Sequence, residues 1–305
     1  MRTAFVQSLL KSARADKNIM LVTGDLGFTV LEEFRDTLPN QYVNAGVAEQ
    51  NMIGLAAGLA MAGKRVFTYS IIPFTTFRCL EHIRNDVCYH KLPVCVVGVG
   101  GGYSYGHMGS THHALEDISV LRSIANMTVV CPGDPCEAEA AVRAIVNQNG
   151  PSYLRLGKAG EPRLHADGLD ITLGKSIEMQ RGNALTIIAT STMLSTAVDV
   201  TKTLADRGIN ARLISMHTIK PIDEEAIVHA AQETPLIVTI EEHSRIGGLG
   251  SAVAETLSLK DCRTSHLLLA APDAFATFCG SQKYLRAQCD LDHDAIVATI
   301  TARLS

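Results

Sequence analysis

QYVNAGVAEQNMIGLAAGLAMAGKRVFTYS, residues 41–70, contains one complete strand–helix–strand unit. Its first strand covers 41–44, a helix with apolar residues on nearly every side covers 50–62, and RVFTYS forms a second strand over 65–70. Strands joined through a helix in this way lie parallel in one sheet, with the helix packed across its face. Gly54, Ala57, Gly58 and Ala62 form a small-sided helix face that lets another backbone approach, and Met52, Ile53, Leu55, Leu59 and Met61 fill the other sides. Such a helix is expected to be buried nearly all round. Glu49 stands at its mouth. A carboxylate there loses hydration, its pKa tends to rise, and it becomes able to share a proton with a nitrogen base. A Glu in a first helical turn also simply complements the helix dipole, so both readings stand at this point.

The same rhythm extends in both directions. Helix 2–15, strand 19–23 and helix 29–37 precede the unit; helix 74–90, strand 93–99, helix 116–125, strand 127–131, helix 135–148 and strand 152–156 follow it. These make a first domain over 1–157. Residues 158–183, with Pro162, Gly168, Gly174 and Gly182, lose periodicity and read as a linker laid over the surface. A smaller unit over 184–305 repeats the alternation: strand 184–190, helix 192–207, strand 211–216, helix 223–231, strand 235–242, helix 247–258, strand 265–269 and helix 290–304. The expected fold class is therefore α/β, two doubly wound domains with mainly parallel sheets, and 305 residues with 47% hydrophobic content supply two cores.

Charge and composition exclude several classes. With 27 basic against 31 acidic residues there is no basic field for nucleic acid or anionic lipid. No apolar run approaches a membrane span, and polar residues interrupt the N-terminal stretch, so a cytoplasmic protein is expected. The eight cysteines (Cys79, Cys88, Cys95, Cys131, Cys136, Cys262, Cys279 and Cys289) lie mostly in apolar segments, as reduced thiols do. The CPGDPC run lacks zinc spacing.

Gly98, Gly100, Gly101 and Gly102 follow a strand but open no helix, which argues against a dinucleotide loop and for a long loop with room to approach a ligand. Within that loop His107, His112 and His113 surround Ser110 and Thr111. Zinc would need converging imidazoles and a fourth ligand, with Glu116 or Asp117 available. Hydrogen bonding to an oxygenated substrate and proton shuttling are the stronger reading, and idle loop histidines the bland one. Phe74 and Phe77 follow strand 65–70 and serve either core packing or stacking on a flat heterocycle. Arg2, Asp25, Thr29 and Lys158 sit at element ends, within reach of an anionic or polyhydroxy ligand; taken singly, each reads as a solvated surface group.

Taken together, GVAEQ at 46–50, PFTTF at 73–77, GHMGSTHHALED at 106–117, NMTVVCPGD at 126–134, SYLRLGKAGEP at 152–162 and EEHSRIGGLG at 241–250 resemble the transketolase family along the whole chain. The resemblance is to the carboxyl-terminal half, a thiamine-diphosphate pyrimidine-binding domain plus the transketolase C-terminal domain, as in enzymes split into two polypeptides. It implies transfer of a two-carbon ketol unit from a ketose or ketose phosphate to an aldose. By the same resemblance Glu49 hydrogen-bonds the cofactor's aminopyrimidine nitrogen, Phe74 or Phe77 stacks on that ring, and Asp25 lies near the cofactor. His112 faces the substrate as a catalytic group, His107 and His113 flank it, and Arg2, Thr29 and Lys158 hold a sugar phosphate. No Gly-Asp-Gly segment with a downstream Asn is present, and the Gly24–Asp25 pair does not qualify. The resemblance therefore assigns the diphosphate and its Mg2+ (or Ca2+) to an N-terminal partner subunit, with no metal held here, in a dimer of heterodimers. This chain alone is expected to self-associate through helix 50–62.

Three departures bear on substrate. Met108 stands where many transketolases carry Asp, Gly100 where they carry His, and Lys158 where they carry a phosphate-clamping Arg. Lysine meets phosphate as a point charge, without the fork. A ketose other than the standard pentose phosphates is therefore expected. Alternatives are a deoxyxylulose-phosphate-synthase-like subunit, a 2-oxoacid dehydrogenase beta-like subunit, and a non-catalytic scaffold of a thiamine enzyme.

Overall fold

A computed structural model describes residues 1–304. The chain lays down α1 (Arg2–Ala15), β1 (Ile19–Thr23), α2 (Glu32–Thr37), β2 (Tyr42–Asn44), α3 (Glu49–Met61), β3 (Arg65–Ile71) and α4 (Ile72–Thr75). Next come α5 (Leu80–His82), which runs into a π-turn over Ile83–Cys88, then β4 (Val94–Val99), α6 (Asp117–Arg122), β5 (Thr128–Val130), α7 (Pro135–Val146) and β6 (Ser152–Leu156). The remainder forms β7 (Ile177–Gln180), β8 (Leu185–Ala189), α8 (Met193–Asp206), β9 (Ala211–Ser215), β10 (Thr218–Lys220) and α9 (Glu224–Glu233). It ends with β11 (Leu236–Ser244), α10 (Leu249–Leu259), β12 (Ser265–Ala271), α11 (Gln282–Ala287) and α12 (His293–Leu304).

Two sheets result. The larger has the order β10-β5-β6-β4-β3-β1-β2 and is parallel apart from β10; the smaller has the order β12-β11-β8-β9-β7 and is parallel apart from β7. Strands such as β4 are buried at every position, because helices cover both faces of a parallel sheet. On one face α1 and α7 bury Phe5, Leu9 and Ile145 against Phe67, Val97 and Leu154. On the other, Met52 and Ile53 of α3 and Ile118 of α6 belong to a core that continues into Ile188, Ile214 and Val253 of the second half. Each fully buried side chain of this size contributes roughly 1.5–3 kcal/mol. Local chemistry fixes several ends: Asp134 caps α7 through Glu137 N at 2.7 Å, and Asp223 and Ser281 cap α9 and α11.

Four sequence expectations need correction. Helix 74–90 is broken: Thr76 Oγ1 donates to the Ile72 carbonyl at 2.7 Å, and the chain restarts as α5 and the π-turn, which closes with Tyr89 N on Arg84 O. Helix α3 is not buried all round, since only one side meets the sheet; Gly58, Met61 and Ala62 are exposed, and a Cβ on Gly54 or Gly58 would meet nothing within 4 Å. Strand β7 lies inside the stretch read as linker, where Gly174 and Gly182 mask four alternating residues and a Cβ on Gly182 would collide with the Ala211 backbone. Strand β10, only three residues long, comes from the second half yet extends the first sheet.

The two halves are joined by a buried polar cluster around Arg155 on β6. Its guanidinium donates to Asp117 at 2.8 and 3.3 Å, to the Ala114 and Glu242 carbonyls at 2.8 and 3.1 Å, and to Ser191 Oγ at 3.1 Å. Tyr153 completes Asp117 with a 2.6 Å bond. The neighbouring Glu242 carboxylate accepts from Tyr103 N, Thr192, Gln282 and Arg286. Breaking one member of a buried pair leaves the other charged and unpaired, so Arg155→Met is expected to cost about 3–5 kcal/mol in denaturant unfolding. A loss below about 1 kcal/mol, the scale of an exposed pair, would show that the cluster is solvated and does not hold the halves together.

His243 also lies in this seam, its Nδ1 bonded to the Ser244 carbonyl and its Nε2 receiving Ser119 N. Burial pushes its pKa from 6.5 down to about 4, and that of His217 likewise. Between these values the unfolded chain takes up protons that the folded chain refuses, so unfolding free energy falls as pH drops through that window. His243→Asn should flatten this decline between pH 6.5 and 4 when unfolding is followed at several pH values; an unchanged slope would locate the effect elsewhere.

Candidate active site

The parallel order places the loops after β1, β2, β3, β4 and β6 at one edge of the larger sheet. Strand β1 lies between β2 and β3, so the strand order reverses there and opens a crevice at the carboxyl ends. Gly24 lines it: a Cβ on this residue would sit 3.3 Å from Glu49 Cγ.

Glu49 opens α3 and is 2% exposed. The burial expected for it is present, and with it a counter-ion that the sequence did not signal. Arg78 Nη1 lies 2.6 Å from Glu49 Oε2, and the guanidinium carbon sits 4.8 Å from the centre of the Phe74 ring. Gln50 steadies Arg78 by donating to its carbonyl at 3.1 Å. The pairing therefore brings Glu49 and Phe74 to a single planar cation. Phe77 goes elsewhere: with Pro73, His113, Glu116 and Phe275 it lines a separate cavity of about 340 Å³.

The three histidines do not converge. His112 packs edge-on to Phe74, ring centres 5.1 Å apart, and its Nδ1 is 3.0 Å from Thr111 Oγ1. His113 is buried, stands edge-on to Tyr103 and makes no well-formed hydrogen bond at either ring nitrogen, with the Gly106 backbone as its polar neighbour; burial lowers its pKa. His107 is exposed. Among the described residues no group of His, Cys, Asp and Glu is placed to hold a metal ion.

Asp25 and Thr29 both have left-handed backbones, at φ 58 and 65. Asn44 holds Asp25 from both sides, donating to its carboxylate at 2.8 Å and accepting from its amide at 3.1 Å. Glu32 accepts from Thr29 N at 2.8 Å, and α2 starts at Glu32 rather than at 29. A β-branched residue at positive φ is a strained outlier, and strain of this kind collects at ligand sites. Arg2 and Tyr69 are neighbours: the Arg2 cation lies beside the Tyr69 hydroxyl, and neither Arg2 Nε nor Tyr69 Oη makes a well-formed hydrogen bond. Lys158, on the loop after β6, sits 4.9 Å over the Tyr105 ring, whose other neighbour is His112 at 6.3 Å. Gly100 has φ 92, and a Cβ there would lie 2.2 Å from Tyr105.

Arg78 and Tyr105 escaped the sequence reading. Arg78 directly follows PFTTF and stands four residues after Phe74, which was its only signal. Tyr105 had none, because its position depends on the turn that Gly100 permits.

The chain matches the family model for the transketolase pyrimidine binding domain over residues 1–160 and that for the transketolase C-terminal domain over 174–296. It is 43% identical over 259 residues to one subunit of the apulose-4-phosphate transketolase of Phocaeicola vulgatus, covering 84% of this chain and 83% of that one. It is 37% identical over 298 residues to a 6-deoxy-6-sulfo-D-fructose transketolase subunit of a Clostridium species, covering 97% and 92%. The 1-deoxy-D-xylulose-5-phosphate synthase of Desulforudis audaxviator is 34% identical over 97% of this chain, yet that match takes up only 47% of the synthase. Among solved structures, a split gene transketolase in an inactive beta4 tetramer superposes with a TM-score of 0.90 at 33% identity, covering 99% of this chain and 97% of that one. Transketolase from Leishmania mexicana shares the fold at a TM-score of 0.79 and 21% identity, this chain corresponding to 44% of its length. The chain belongs to the transketolase family, as the carboxyl-terminal subunit of a split enzyme.

Proposed function

We propose that this subunit supplies the pyrimidine-facing half of a thiamine-diphosphate site and the anion-binding end of a ketose site, in a cytoplasmic dimer of heterodimers whose N-terminal subunit holds the diphosphate and Mg2+ (or Ca2+). The supporting observation is the buried Glu49 carboxylate beside the Phe74 ring face, already engaged by a flat N–H donor. That pair of groups fits the edge and face of an aminopyrimidine. When bound, thiamine diphosphate would supply a carbon nucleophile for ketose chemistry. Glu49 would share a proton with the pyrimidine nitrogen, Phe74 would fix the ring plane, and His112, packed against Phe74, would present its free edge to substrate oxygens.

At the other end Arg2 and Lys158 provide two cations that both face Tyr105, and Arg2 lies beside the Tyr69 hydroxyl. An anionic tail there would accept from Arg2 and Tyr69, which lack well-formed hydrogen bonds of their own. Relatives named for a phosphorylated and for a sulfonated ketose are in keeping with such a tail. Gly100 and Tyr105 shape the wall beside it: the ring occupies the volume a side chain at position 100 would need. The acceptor is an aldose, and the donor is a ketose with a terminal anion other than the standard pentose phosphates.

Reconstitution with an N-terminal subunit carrying the Gly-Asp-Gly segment tests the reading. Ketol transfer that requires added thiamine diphosphate is expected, and Glu49→Gln should lower kcat by about a hundredfold or more; undiminished activity in that variant would reduce the chain to a scaffold. The wall makes its own prediction. Gly100→Ala should lose about 1 kcal/mol or more in thermal unfolding, and adding Tyr105→Ala should recover only the part due to the collision, since the backbone strain at φ 92 remains.

A further inference from the structure

Arg78 touches both groups assigned above to the pyrimidine, and it does so with the same kind of surface. A guanidinium is planar, carries N–H donors along its edge and stacks on aromatic faces. Its edge meets Glu49 Oε2 at 2.6 Å and its carbon lies 4.8 Å from the Phe74 ring centre. Yet the two ends of this contact differ sharply in exposure: the Glu49 side chain is 2% accessible and that of Arg78 is 48%. The carboxylate is fixed in the fold, whereas the arginine reaches it from the solvent side on a long side chain. Its segment is also the one where regular helix fails, between α4 and α5.

We propose that Arg78 is a placeholder for the aminopyrimidine: it occupies the Glu49–Phe74 site in the cofactor-free subunit and swings toward solvent when the ring docks. The inference rests on the cofactor reading given above. A bare carboxylate at 2% exposure is costly, and Arg78 keeps it compensated and the crevice open until the heterocycle takes over the same donor contact. Cofactor affinity is then reduced by the fraction of molecules in which the placeholder is seated. Arg78 is accordingly a positioning residue, one that takes no part in the chemistry once displaced.

The test uses the reconstituted two-subunit complex, with thiamine diphosphate binding measured by calorimetry rather than by turnover. Arg78→Met is expected to tighten the Kd by about three- to tenfold, the range for a site roughly 70–90% self-occupied. The same change should lower the melting temperature of the cofactor-free complex and enlarge the rise on adding cofactor. Arg78→Lys, which retains charge without the planar edge, should fall between. In a Glu49→Gln background the effect of Arg78→Met should vanish, because the placeholder has lost its anchor. An unchanged or weakened Kd in Arg78→Met would overturn the proposal, the latter by showing that Arg78 binds the cofactor instead of yielding to it. A wild-type complex that binds no thiamine diphosphate at all would overturn the proposed function itself, a distinguishable failure.

Discussion

The guanidinium of Arg155 is the interaction on which the arrangement depends. It sits at the end of β6 with 1% of its side chain accessible, and its five-donor fork is taken up by Asp117, Ala114, Ser191 and Glu242. Two of these lie at the end of the loop that carries His107, His112 and His113, and the other two belong to the second half of the chain. One buried cation therefore sets the position of the histidine loop and of the smaller sheet together. Lysine has no planar fork with which to reach four acceptors, so the identity of the residue matters as much as its charge. Gly101 is part of the same constraint: a Cβ there would lie 2.6 Å from the guanidinium.

From that anchor the site follows by geometry. A parallel sheet sends every strand's carboxyl end to one edge, and the reversal at β1 parts the loops that leave it. Left-handed backbone recurs on those loops: Thr29, a β-branched outlier, and Asp25 hold positive φ after β1, and Gly100 does so after β4, where it admits Tyr105. These conformations persist because neighbours over-determine them, Asn44 clasping Asp25 and Glu32 clasping Thr29. The rigid sheet and the strained loops thus divide the work, one setting position and the other setting shape.

How much of this was legible in the sequence follows from the range of each signal. The strands and helices of both halves were readable because apolar periodicity is local, and the seam motifs ALED and EEHSRIGG were visible as motifs. Elements whose existence depends on distant partners were not. Strand β10 is three residues that pair only because the second half folds back on β5, and β7 is framed by glycines that read as loop. The helix over 74–90 is interrupted after Thr76, whose N–H and hydroxyl both donate to the Ile72 carbonyl, a doubled contact that bends helices and that periodicity does not register. Glu49, Phe74 or Phe77, and His112 were named from their motifs; of these, Phe74 and His112 pack together and Glu49 meets Phe74 through Arg78, which like Tyr105 owes its place to tertiary contacts. The burial of Glu49 was readable from its setting; its counter-ion was not.

That counter-ion also bears on how a chain can carry half a site. A subunit destined to complete its crevice with another chain must leave Glu49 reachable, yet a reachable buried carboxylate with no partner destabilises the fold. A half-exposed arginine resolves the conflict, since it neutralises the charge from the open side and can yield the carboxylate to a donor that replaces it. The exposed apolar residues on the loops that leave this edge, Phe28 and Met108, have no such local remedy. Charge is compensated within the chain, whereas exposed apolar surface of this kind suits cover by a second chain. Polar preparation and apolar incompleteness side by side are what a site divided between two polypeptides requires.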